Sequence, residues 1–113
     1  DAIAAALRAP DPSVVSGAVP RQFRLFAEQG KNDLEALALC MTRPRRSLAP
    51  AELATVAVPV LIVLGEKDTV TGPADPLAEA LPSARVAVIA NRDHMTTVGD
   101  KAYKAAVTAF LYE

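Results

Sequence analysis

The chain has 113 residues, 51% of them hydrophobic and 22% charged, which is enough apolar material for one modest packed domain and too much for a disordered chain. Twelve Lys and Arg against thirteen Asp and Glu leave no electrostatic excess to hold a nucleic acid or an anionic membrane, so neither is expected as a partner. A single Cys (Cys40) and a single His (His94) exclude an internal disulfide and a structural zinc site, and no apolar run approaches a membrane span or a signal segment; the chain reads as soluble and cytoplasmic.

The chain opens on Asp1, without Met, in an alanine-rich stretch from Ala2 to Leu7, and reads as the continuation of something longer. Twenty-three residues are Ala, and each buries little area at about 25 cal/mol per Å², so a self-sufficient core is not expected. Asp1 to Ala9 is a helical segment ended by Pro10 and Pro12. From Ser13, the apolar positions Val15, Val19, Phe23 and Phe26 recur at helical spacing, with Pro20 either kinking the segment or starting a second helix at its first turn. Gly30 closes it. Asn32 or Asp33 caps the next helix, with a stripe of Leu34, Leu37, Ala38 and Met41 that stops at Thr42-Arg43-Pro44. Arg43, Arg45 and Arg46 form a short basic cluster, read as a solvated linker in preference to an anion site. Pro50 to Leu53 is one more helical turn.

The texture changes at Ala57. Val58 to Leu64 is a continuous apolar run rich in β-branched residues and bounded by Gly65, as in a parallel strand covered on both faces. A polar loop follows, then Asp75 and Pro76 as N-cap and first turn of a helix carrying Leu77, Ala80 and Leu81, ended by Pro82-Ser83. Arg85 to Ala90 is a second strand, leaving through Asn91-Arg92-Asp93-His94. Asp100 caps a last helix whose stripe is Tyr103, Ala106, Val107, Phe110 and Leu111. Strand, helix, strand, helix implies two adjacent parallel strands joined by a right-handed crossover in an α/β sheet.

In an open parallel sheet, reactive groups collect beyond the carboxyl ends of the strands. Each strand delivers one titratable group there: Asp68 after Leu64, and His94 after Ala90. A carboxylate that accepts the Nδ1 hydrogen of an imidazole fixes its tautomer and stabilises the imidazolium, which is the orienting half of a nucleophilic triad. Asp93 is a poorer orienting acid, because neighbouring side chains seldom face one another. Asp68 alone is also an ordinary turn residue, and Met41 and Met95 are packing residues.

The segment Val58-Pro-Val-Leu-Ile-Val-Leu-Gly65-Glu-Lys-Asp68, then a helix, then Pro82-Ser-Ala-Arg-Val-Ala-Val-Ile89 and Asp93-His94-Met95, resembles the carboxy-terminal part of the α/β-hydrolase superfamily. The resemblance covers Ala57 to Glu113 and implies Asp68 as triad acid and His94 as triad base. Residues 1–56 resemble the helical cap that many members insert. Members often carry Gly directly before the His, where this chain has Asp93. The nucleophile elbow, Gly-x-Ser-x-Gly between a strand and a helix, has no counterpart at Ser13, Ser16, Ser47 or Ser83, and Cys40 sits on an expected helix, a poor setting for a reactive thiolate.

The fold class expected is therefore α/β, a fragment of an α/β-hydrolase fold, with a helical cap-like segment (1–56) followed by two parallel strands and two helices (57–113). The function expected is that of the carboxy-terminal half of a serine-type, esterase-like hydrolase acting on a small-molecule substrate in its parent, without metal or cofactor and inactive alone. An exposed strand edge is expected to drive self-association. The competing reading is a non-enzymatic α/β binding or oligomerisation module in which Asp68 and His94 are incidental.

Overall fold

A computed structural model describes residues 1–113. It divides into two compact units, Asp1–Arg46 and Ser47–Glu113.

The first unit is helical. Helix α1 (Ala2–Arg8) starts at Asp1, whose carboxylate accepts the N–H groups of Ile3 and Ala4 and so satisfies two of the donors that a helix start leaves unpaired. It stops where Ala9 turns extended before Pro10. The segment after it does not run as one helix from Ser13. Asp11 accepts the Ser13 N–H at 2.7 Å and opens a short 3-10 turn, Pro12–Val14; α2 (Ala18–Gln29) begins only after Gly17, which has φ 89°. Pro20 thus sits in the first turn of α2, where its missing N–H costs nothing. Gly30 ends α2, and Asp33, not Asn32, caps α3 (Leu34–Thr42) through the Ala36 N–H; Asn32 instead donates its amide to the Ala27 carbonyl.

Ala4, Leu7, Ala27 and Ala38 form the core of this unit, with Ile3, Leu34, Leu37 and Met41 packed against it. The small alanines let α1 approach α2 and α3 closely. The inward line of α2 includes Arg24 and Ala27, whereas Phe26, expected on the buried stripe, is 62% exposed. Arg24 is only 5% exposed because its guanidinium donates to the carbonyls of Ala6, Leu7 and Ala9, closing the end of α1, and to Glu28.

The second unit holds α4 (Pro50–Leu53), β1 (Val60–Gly65), α5 (Asp75–Ala80), β2 (Ala84–Ile89) and α6 (Lys101–Leu111). Its α/β character follows from β1 and β2 pairing in parallel, from Val60 opposite Ala84 to Gly65 opposite Ile89. Helix α6 is capped by Asp100 and lies against β1 and β2; Tyr103, Val107 and Phe110 line a groove with Leu61 and Val63. Arg85 spans the end of this layer, stacked 5.0 Å above the Phe110 ring and paired by two bonds with Glu113.

Three expectations need correction. The strands are not covered on both faces: Val86 and Val88 on β2 are exposed, because a two-stranded sheet with one long helix has only one sheltered side. On α6 no residue is fully buried, and Leu111 is 70% exposed. Asp75 is the first residue of α5 and not its cap; Ala74 occupies the cap position without a side-chain acceptor, and Asp75 contributes only its charge near the helix start.

Candidate functional site

Both strands end at one rim, and the two loops that leave it are tied together by backbone. Glu66 N–H donates to the Ile89 carbonyl at 2.9 Å, and Lys67 N–H donates to the Arg92 carbonyl at 2.8 Å. The Glu66 carboxylate reaches across to accept the Asn91 N–H at 2.7 Å.

After β2, Asn91 turns the chain with φ 57°, and Asp93 then builds the turn that carries His94. Its Oδ1 accepts the N–H groups of Met95 and Thr96 and the Thr96 hydroxyl. Those bonds hold the Asp93 carboxyl below the usual range, the Thr96 hydroxyl foremost. Asp93 therefore shapes the loop and is committed there rather than to the imidazole. Buried Thr97 donates its hydroxyl to the Asp93 carbonyl, and Arg92 pairs with Asp100 at the start of α6.

The outcome is a direct contact: His94 Nδ1 lies 2.9 Å from Asp68 Oδ2. The second Asp68 oxygen accepts the N–H groups of Val70 and Thr71 at 2.8 and 3.2 Å. The Asp68 side chain is 5% exposed and that of His94 33%, so the acid is sheltered and the ring borders solvent. Burial by itself would push the Asp68 carboxyl up; the hydrogen bond with His94, the two backbone N–H groups and the imidazole's charge outweigh it and hold the group below its ordinary value. An ionised carboxylate held on three donors can orient an imidazole and stabilise its protonated form. Asp68 and His94 together border a cleft of about 380 Å³, with Thr71, Leu77, Val98 and Tyr103 among its walls.

The other residues weighed from the sequence lie elsewhere. Ser13, Ser16 and exposed Cys40 belong to the first unit, and Met41 packs in its core. Ser83 sits at the opposite end of the strands, where its carbonyl accepts the Val60 N–H. No three His, Cys, Asp or Glu side chains gather as a metal-binding group, and no helix is long and apolar enough to cross a membrane. Sequence reasoning missed Glu66 and Thr97. Both look like ordinary loop polar residues, and their contacts span long separations.

Residues 26–113 match a family described as TAP-like protein, one of the α/β-hydrolase-related families. No curated protein and no solved structure matches the chain.

Proposed function

The chain belongs to the TAP-like protein family, related to the α/β-hydrolases, and on that premise we propose that it is the carboxy-terminal part of a serine-type hydrolase, contributing the acid and base of a catalytic triad. The single observation that carries this reading is the contact of 2.9 Å between Asp68 and His94 at the carboxyl ends of two parallel strands.

In the proposed reaction, a serine supplied by a preceding part of the parent attacks the carbonyl carbon of an ester or related acyl bond. His94 takes the hydroxyl proton as the Ser–C bond forms and returns it to the leaving group as the acyl bond breaks; water then repeats the sequence to release the acid. Asp68 stays ionised throughout, holds the Nδ1 hydrogen and stabilises the imidazolium. Without a nucleophile and oxyanion donors, the 113-residue chain has nothing to activate and is inactive alone.

The test is His94→Ala in the complete parent, assayed with a generic aryl ester. Turnover falls on the order of 10⁴-fold or more, with KM little changed. Undiminished turnover would exclude the role.

The lack of a Gly-x-Ser-x-Gly elbow in the chain favours a second reading, a non-enzymatic binding or oligomerisation module. The coding sequence preceding Asp1 separates the two: a nucleophile elbow between a strand and a helix supports the hydrolase, and an unrelated domain or a start codon there supports the module.

A further inference from the structure

The contact between Asp68 and His94 requires the loop after β2 to arrive in one place, and a side chain outside the pair reaches over to hold it there. Glu66 directly follows β1, and its Oε2 accepts the N–H of Asn91. Asn91 adopts φ 57°, a left-handed conformation that Asn tolerates better than most residues with a side chain but that still competes with negative φ, so a bond to its N–H there biases the turn. The nearby bonds from Glu66 N–H to Ile89 and from Lys67 N–H to Arg92 are backbone bonds that almost any residue would make. The carboxylate of Glu66 is the one tie from the β1 loop to Asn91 that depends on residue type. It is also exposed, so removing it leaves the strand pairing and the packing of α6 intact.

We infer that Glu66 is a positioning residue for His94: by bonding Asn91 it holds the left-handed turn from which the loop delivers His94 Nδ1 to Asp68 Oδ2. The inference rests on the reading of Asp68 and His94 as a catalytic pair. When the carboxylate is lost, the Asn91 N–H turns to water and the residue relaxes toward negative φ. Asp93 and His94 follow it, and the imidazole is no longer held against Asp68 in one tautomer.

The test reads the tautomer directly, by nitrogen NMR of His94 in the 113-residue chain at about pH 8.5, above the ordinary His range. With Asp68 as acceptor, the neutral ring carries its proton on Nδ1 and a lone pair on Nε2, and the two nitrogens resonate far apart in that order. The native chain and Glu66→Gln, whose amide oxygen still accepts from Asn91, show this pattern. Glu66→Ala and Glu66→Asp, which lack the group or its reach, lose the bias. Their two ring resonances converge as the proton exchanges between the nitrogens, while amide resonances of β1 and β2 stay in place.

An unchanged pattern in Glu66→Ala overturns the role of Glu66 and leaves the pair standing. A native chain with its proton on Nε2 overturns the pair, and the role of Glu66 with it. Loss of the whole folded spectrum in both Glu66→Ala and Glu66→Asp, with Glu66→Gln folded, makes Glu66 a residue of overall stability and also overturns the proposal. In the complete parent, the same substitutions lower kcat about tenfold with KM unchanged, and Glu66→Gln restores it.

Discussion

The backbone of Arg92 passes so close to Gly65 that a methyl group on Gly65 would overlap the Arg92 carbonyl and the Thr97 hydroxyl. The absent side chain is what lets the two rim loops touch, and through that touch Lys67 reaches the Arg92 carbonyl. Gly65→Ala must push the loop after β2 outward, since one obstacle is backbone and cannot rotate away. It is expected to destabilise the second unit by about 1–3 kcal/mol, as overpacking does. It should also separate Asp68 from His94. Urea unfolding gives the first quantity and the ring-nitrogen pattern of His94 the second. A variant with native stability and a native pattern would mean that the loops do not need this approach.

Asp68 makes the stability of the fold depend on pH. Its pKa in the folded chain lies below the ordinary 3.8, because the bonds from His94, Val70 and Thr71 outweigh the cost of burial. A depressed carboxyl stabilises the fold in full above its unfolded value, and the contribution is lost as pH falls through the folded value. Asp68→Asn is therefore less stable than the native chain at pH 7, and the gap closes progressively below about pH 3.8. Denaturation midpoints of the two chains from pH 7 to pH 2 check this. Under the proposed hydrolase function, the same substitution in the complete enzyme lowers kcat on the order of 10⁴-fold.

What the sequence made legible was local or periodic. The run ending at Gly65 and the strand from Arg85 are short, apolar and β-branched, and parallel pairing puts their ends on one rim, so topology brings the loops of Asp68 and His94 together, while the contact itself depends on how those loops are held. Asp33 and Asp100 cap helices because a carboxylate before an apolar stripe has a local acceptor role. Other features depended on partners distant in the chain. Glu66 was one polar loop residue among several until Asn91 was folded against it. Arg24 lies outside the apolar stripe that the sequence shows for its helix, and the end of α1 makes it inward-facing. Asp75 failed as a cap because α5 starts one residue earlier, at a boundary that Pro76 permits but does not specify.

Arg24 gives a prediction for the first unit. Its guanidinium supplies donors to three carbonyl groups at the end of α1 and, at 5% exposure, does so largely out of water. Arg24→Met keeps an apolar stem of similar length but leaves those carbonyls without donors and Glu28 without its partner. A loss of about 2–4 kcal/mol is expected. Arg24→Lys recovers only part of it, since a compact ammonium cannot match the spread of a guanidinium over Glu28 and three carbonyls. Helical ellipticity followed through urea unfolding measures both. Equal stability of Arg24→Met and the native chain would show that water serves these carbonyls equally well.

The free edge of β1 gives the last. The sheet has two strands, so β1 pairs on one side only. Its Val60 N–H and the following Glu66 N–H donate to the β2 side, at Ser83 and Ile89. Alternation along a parallel ladder then turns the N–H groups of Leu61, Val63 and Gly65 to the unpaired side. An apolar edge of this kind is a template for another strand, and in the 113-residue chain alone the available strand is that of a second copy. The expected light-scattering mass at tens of micromolar therefore exceeds one chain. Val63→Pro separates edge pairing from general stickiness: it removes an outward N–H, breaks no bond to β2, and proline is tolerated on an edge. The variant should return the mass to one chain with the parallel pair intact. If the exposed Val86 and Val88 face drives association instead, Val63→Pro leaves the mass unchanged and lysine at Val88 lowers it.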